Sequence, residues 1–186
     1  MENLLIVLAL VVAAVVYVIY LYNSLVRSRQ LAEEGWSGID VQLKRRADLI
    51  PNLVNTLRGY AAHERETLDA VVNARNHALN VAGGDVAERA AAEGALGQAL
   101  GKLFALAESY PDLKASENFL GMQNSLENLE SEIQMARRYY NAAARDLNIL
   151  IESFPSSLVA AHFGFTKKEF FEIADAAERA VPEVSF

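Results

Sequence analysis

The strongest constraint on this chain is the run Leu4–Tyr22, LLIVLALVVAAVVYVIYLY. It holds no charge, Gly, Pro or side-chain amide. As a helix, about 19 residues cross roughly 30 Å of hydrocarbon. Inside lipid every backbone N–H and C=O needs an internal partner, which a continuous helix supplies. The β-branched residues Ile6, Val7, Val11, Val12, Val15 and Val16 weaken a helix in water, but in lipid the hydrogen bonds dominate. Tyr17, Tyr20 and Tyr22 gather at the C-terminal end, where amphipathic rings sit at headgroup level. A cleaved signal peptide would carry a basic start, a shorter apolar core and a small-residue cleavage site. Here the run follows Met1-Glu2-Asn3 and ends in Tyr-Leu-Tyr-Asn. A core helix apolar on every side would need a much larger protein around it. The run therefore reads as an uncleaved span.

The flanks give it a direction. Glu2 is the only charged side chain before the run, whereas Arg27, Arg29, Lys44, Arg45 and Arg46 follow it. Positive residues stay on the cytoplasmic side. The expected topology is single-pass, with the N-terminus outside and residues 24–186 in the cytoplasm. Those residues are enough for one domain with its own core. The whole-chain charge of −7 argues against nucleic acid, which selects a basic face. No cysteine is present, which excludes disulfides, thiolate catalysis, Cys-ligated zinc and a lipoprotein cysteine.

Beyond the span the pattern is helical. Trp36, Ile39, Leu43, Ile50, Leu53, Leu57 and Tyr60 step by three and four, the stripe of a helix with one buried face. Between Leu43 and Ile50 the step falls on Arg46 or Ala47, with Ala47 expected inside. Gly35 and Gly38 predict a bend near the membrane exit, and Pro51 predicts a kink. A second helix is expected over Tyr60–Asn80. After Val81-Ala82-Gly83-Gly84, Asp85 and Glu88 form a capping box that opens a third helix, running to about Ser109. Ser109-Tyr110-Pro111-Asp112 ends it. Phe119, Met122, Leu126, Leu129, Ile133, Ala136, Tyr140, Ala143, Leu147, Leu150 and Phe154 then alternate three and four over about five heptads, the seam of a left-handed bundle or coiled coil. Ser153-Phe154-Pro155-Ser156-Ser157 stops this helix, and a short one is expected over Lys167–Ala180.

No catalytic constellation stands out. His63-Glu64 opens like a zinc-protease motif, but the second His would fall on Thr67. His63, His77 and His162 are single and widely spaced. No Glu-x-x-His pair accompanies the acidic clusters, and Gly83-Gly84 lacks the lysine and spacing of a phosphate loop. The expectation is a non-enzyme with no cofactor and no metal.

Two stretches exceed what a core needs. Trp36, Asp40, Gln42, Lys44, Arg45, Arg46, Asp48, Pro51 and Asn52 crowd polar groups and the single tryptophan onto a helix with a buried face. Asp40, Lys44 and Asp48 are four apart and can pair along one side. One reading is capping, kinking and surface pairing. The other is a polar seam that fixes register against another helix or another subunit. Near the C-terminus, Phe163, Phe165, Phe170 and Phe171 cluster beside Lys167 and Lys168. They either fold back to cap one end of the bundle or dock on a partner, a neighbouring copy or the membrane surface.

The residues now in view resemble the LemA family. The likeness runs from Tyr22-Asn23-Ser24-Leu25-Val26 through Trp36–Arg46 and Asp48–Val54. It continues in Gly59-Tyr60-Ala61, His63-Glu64, Tyr110–Ala115 and Arg137–Asn141. It ends in Phe154-Pro155, Gly164-Phe165 and Phe170-Phe171-Glu172. One departure is Asp146-Leu147-Asn148, where the family often carries an aromatic before the Asn. The resemblance implies a bacterial membrane protein with one N-terminal span and a cytoplasmic antiparallel helical domain. It extends to magnetosome proteins of MamQ type, linked to membrane shaping, and to members encoded beside membrane proteases of the HtpX type. It supplies no catalytic residues.

The expected fold is therefore all-α. A transmembrane helix at 1–23 runs continuously into a four-helix-type antiparallel bundle at 24–154, followed by a Phe-rich, partly helical tail at 155–186. The expected function is a non-enzymatic scaffold that self-associates at the cytoplasmic (inner) membrane, with the bilayer and further copies of itself as partners. The alternatives are an adaptor for a membrane protease or envelope-stress partner, and a membrane-remodelling protein.

Overall fold

A computed structural model of the chain describes residues 1–61 and 63–172. Among these residues there are six helices and no strand. They are α1 (Glu2–Tyr60), α2 (Arg65–Asn80), α3 (Val86–Ala107), α4 (Pro111–Lys114), α5 (Glu117–Glu152) and α6 (Ser156–Phe163). The all-α expectation holds, and the apolar run is continuous with the first domain helix. α1 stays helical through Gly35, Gly38 and Pro51. The whole of residues 1–20 is exposed, as befits an apolar surface that lipid would cover.

The chain forms two compact units. The first joins Met1–Ser37 to Ala136–Phe170; the second holds Gly38–Met135 and the described residues from Phe171 on. In the first, Leu21 and Leu25 of α1 cluster with Leu147 of α5 and Val159 and Ala160 of α6, with Leu150, Ile151 and Phe165 packed beside them. In the second, Ile50, Leu53, Val54 and Leu57 of α1 meet Leu68 and Val71 of α2. Leu96, Leu100 and Leu103 of α3, Leu113 of α4 and Phe119 and Leu126 of α5 complete that core. Apolar burial at roughly 25 cal/mol per Å² drives both clusters.

Local chemistry explains most boundaries. Asp85 caps α3: its Oδ1 accepts the Glu88 N–H at 2.7 Å, satisfying one orphan donor of the first turn. Pro111 opens α4 at a position where its missing N–H costs nothing. Gly164 ends α6 at φ 72°, the left-handed conformation that favours glycine. The Ser156 hydroxyl lies 2.6 Å from the Leu150 carbonyl in the last turn of α5 and 2.9 Å from that of Ser153, which also accepts the Ser157 N–H at 2.7 Å.

Three expectations need correction. α2 begins at Arg65, not Tyr60, because the chain turns between Ala61 and Glu64. Phe154 belongs to no seam: α5 ends at Glu152 and the ring is exposed. Residues 167–172 have no regular structure, so the described part of the expected Lys167–Ala180 helix is not helical; the remainder lies outside the described residues. The helix after the stop is α6, whose inner face rests on Leu21 and Leu25.

Candidate functional site

The second unit buries a charged cluster. Arg46 is 3% exposed, and Arg89 and Glu93 are 2% each. Arg46 comes from α1, at the step between Leu43 and Ile50. Arg89 and Glu93 sit one turn apart on α3, so both reach the same side. Arg46 Nη2 donates to Glu93 Oε2 at 2.5 Å and Nη1 to Glu130 Oε2 of α5 at 2.9 Å. Arg89 Nε lies 3.2 Å from Glu93 Oε1, outside hydrogen-bond geometry. Its Nη2 pairs with Asp40 Oδ1 at 3.3 Å, and its Nη1 donates to the Ala78 carbonyl at 2.7 Å. That carbonyl belongs to the last turn of α2, where carbonyls lack intrahelical donors and the helix dipole favours a cation. Glu93 is thus a buried anion between two buried cations, with Glu130 and Asp40 half-exposed at the ends. Arg46 Nε makes no hydrogen bond.

Such a cluster is costly to desolvate and weak evidence for stability as a whole. Its fork geometry is specific, since each guanidinium binds two elements at once. The planar donors demand one register of α1 against α3 and α5, and of the α2 terminus against α3. Every carboxylate here is occupied by an arginine, and the set presents no nucleophile.

A second device sits one turn along α1. Pro51 has no N–H, so the Ala47 carbonyl loses its helical donor. Arg75 of α2 replaces it, Nε to Ala47 O at 2.7 Å. The carbonyl that Pro51 leaves without a helical donor is therefore satisfied by a side chain from another helix. Beside it runs a groove of about 260 Å³ lined by Ile50, Pro51, Val54, Asn55, Arg58, Val72 and Arg75.

The first unit carries a different set of contacts. Trp36 and Tyr140 meet with ring centroids 5.4 Å apart and planes tilted by 57°, and Gly35 lets the α5 backbone approach: a Cβ there would lie 2.9 Å from Tyr140 Cα. The segment after α6 lies along α5. Asn148 Nδ2 donates to Lys168 O at 2.8 Å, and Lys168 N–H donates back to Asn148 Oδ1 at 2.9 Å. Tyr140 Oη donates to Glu169 O at 2.8 Å. Burial, followed by the nearby Glu169 charge, holds the Tyr140 phenol above its usual pKa. Tyr22 meets Phe163 at 4.8 Å and Phe165 at 5.9 Å, both edge-on. The Arg29 guanidinium lies 5.3 Å from the Phe165 centroid.

The polar stretch of α1 therefore divides. Asp40 and Arg46 enter the buried cluster. Lys44 pairs with Asp48 at 2.9 Å, whereas Asp40 reaches Arg89 rather than Lys44. Arg45 bridges Gln42 at 2.8 Å and Glu132 at 2.9 Å on the surface. Asn52 is exposed and offers its backbone carbonyl to Thr56 Oγ1. Arg46 and Ala47 are both buried, so the stripe includes the arginine that the spacing reading passed over in favour of Ala47. Of the phenylalanines, Phe163 and Phe165 fold back on Tyr22, Phe170 is exposed and Phe171 is fully buried, leaving Phe171 no surface to offer. The reading from sequence misses Arg89, Glu93 and Arg75; it places Tyr140 in the seam of α5, where the ring is buried, but not the bonds of Tyr140 and Asn148 to the segment after α6. Its available signal was Arg89 and Glu93 four apart within the alanine-rich α3, a poor place for charges unless they meet partners.

Among the described residues, no group of three or more His, Cys, Asp or Glu could hold a metal. The apolar stretch of α1 is long and apolar enough to cross a membrane, and its residues up to Tyr20 are all exposed.

Comparison with known proteins finds relatives among the magnetosome and LemA proteins. Magnetosome protein MamQ 2 of Paramagnetospirillum magneticum is 27% identical over 92% of this chain and 72% of its own length. Magnetosome protein MamQ of Magnetospirillum gryphiswaldense is 25% identical, covering 91% and 71%. Protein LemA of Metamycoplasma hominis is 28% identical over 82% of this chain and 69% of its own. The LemA family pattern matches residues 35–186, starting beyond the apolar run. With its apolar N-terminal helix, its helical domain and this match over most of its length, the chain is a membrane-associated member of the LemA family.

Proposed function

We propose that this protein is a non-enzymatic, single-span scaffold that self-associates at the cytoplasmic face of the cytoplasmic membrane. The observation that carries the reading is the form of α1. One unbroken helix holds an apolar segment that stays exposed up to Tyr20 and, further along, the arginine of the buried cluster. Spans confined to a bilayer meet at high effective concentration, so weak lateral contacts suffice. Ala9, Ala13 and Ala14 are exposed on this segment, and small residues let helices approach closely in lipid. The buried polar groups support a structural role, because they are spent on ion pairs and carbonyl caps. The basic residues after the span support an outward N-terminus.

Since the chain lacks cysteine, Ala13→Cys in the full-length protein gives a single reporter. Oxidative cross-linking in membranes is expected to yield dimers, and a lack of cross-linking at both Ala9→Cys and Ala13→Cys would overturn association through the span. The MamQ relatives favour a second reading, membrane remodelling. Purified protein would then tubulate liposomes, and unaltered vesicles at high coverage would remove it.

A further inference from the structure

The segment Ser153–Thr166 contains no Lys, Arg, Asp or Glu. It includes α6, whose Val159 and Ala160 pack with Leu21, Leu25 and Leu147. Leu21 lies in the last turn of the apolar run, so α6 is held where the run leaves the hydrocarbon. Three of its large side chains stay mostly exposed: Phe154 at 81%, Leu158 at 63% and Phe163 at 52%. Phe163 and Phe165 touch the edge of Tyr22, a ring of the type that marks headgroup level. Lys167, which pairs with Glu152, and Lys168 follow at once, placed like cations that border an interfacial segment.

We propose that Phe154–Phe165 is a second membrane contact, lying in the plane of the interface beside the exit of the span, with Phe154, Leu158 and Phe163 in the boundary between headgroups and acyl chains. The occupant of this apolar surface is lipid, because the span places the surface at the bilayer. The contact fixes depth and rotation of α1, which a lone span leaves free to tilt. The inference rests on residues 4–22 being the span, and the test separates the two.

Single cysteines at Phe154→Cys and Leu158→Cys, both at exposed positions, carry an environment-sensitive fluorophore on the full-length protein in phosphatidylcholine–phosphatidylglycerol vesicles. Ala13→Cys reports the span. Arg138→Cys, two residues before the Tyr140 ring that meets Trp36, reports α5 about 21 Å along the axis from Tyr22. Lipids brominated near the headgroup are expected to quench the labels at 154 and 158, lipids brominated deep in the acyl chain the label at 13, and neither the label at 138. Quenching at 13 with labels at 154 and 158 as bright as that at 138 overturns the interfacial contact and leaves the span intact. A label at 13 that no lipid quenches overturns the span reading and this inference together. Labels at 154 and 158 that escape lipid but show spin–spin broadening as nitroxides assign the surface to a second copy instead.

Discussion

Replacing Glu93 by Gln tests the buried cluster with little change of shape. The substitution removes the only fully buried anion among the described residues and leaves Arg46 and Arg89 facing each other's charge. Removing one partner of a buried pair typically costs about 3–5 kcal/mol. Here Arg46 keeps Glu130 at 2.9 Å, and Arg89 keeps Asp40 at 3.3 Å and the Ala78 carbonyl at 2.7 Å. The expected cost therefore lies at the low end, about 3 kcal/mol. For a chain of this size that lowers the midpoint of thermal unfolding by roughly 6–12 °C. Far-UV circular dichroism of the full-length protein in mild detergent reads it. Glu130→Gln is the control: its carboxylate is half-exposed, and the expected loss is below ~1 kcal/mol. Replacing Arg46, Arg89 and Glu93 together by apolar residues should regain much of the loss, since no charge stays buried. A cost of about 1–3 kcal/mol would remain for the uncapped Ala78 carbonyl. A Glu93→Gln midpoint equivalent to within ~0.5 kcal/mol of the parent would refute the assignment of Glu93 as the counter-charge that holds α1 and α3 together.

Other consequences are as direct. Gly35→Ala places a Cβ 2.9 Å from Tyr140 Cα, a backbone neighbour that cannot yield, and is expected to cost about 1–3 kcal/mol; Gly38→Ala meets nothing within 4 Å and should stabilise by about 1 kcal/mol, so equal effects in denaturant unfolding would contradict the close approach. Arg75→Ala should cost about 1.5–3 kcal/mol, and clearly less when Pro51→Ala restores the helical donor to Ala47; a double-mutant cycle without coupling would remove that link. Tyr140 has its folded pKa raised, so its contribution is complete below the unfolded value of about 10 and declines as pH climbs from there through the folded value. Stability measured across that range should fall more steeply in the parent than in Tyr140→Phe.

How far residue order alone reached depends on whether a feature is local. Caps, helix stops and the three–four seam of α5 are set by neighbours within a turn or two, and Asp85, Pro111 and Leu126 sit where spacing put them. The apolar run was readable because lipid imposes a length and a composition. The buried cluster was half readable: Arg46 and Asp40 stood out as excess polarity on α1, but their partners lie 47 and 49 residues away on α3. A spacing rule prefers the alanine over the arginine at a buried step, and only a remote carboxylate reverses that preference. The same holds for Pro51, whose gap is visible in the sequence while the donor that fills it, Arg75, is not. Gly35 and Gly38 look alike in the chain. Only the passage of Tyr140 beside one of them separates a required glycine from a replaceable one. The tail was read as a set of four rings, yet folding divides it into two against Tyr22, one exposed and one buried.

The claim most in need of a direct test is self-association in the membrane. The mass of the full-length protein in lipid nanodiscs or native-membrane particles, at protein-to-lipid ratios low enough to exclude crowding, measures it. The account predicts particles that hold two or more copies with their spans side by side, at a stoichiometry that persists on dilution with lipid. A strictly monomeric particle that remains monomeric at every ratio would contradict it.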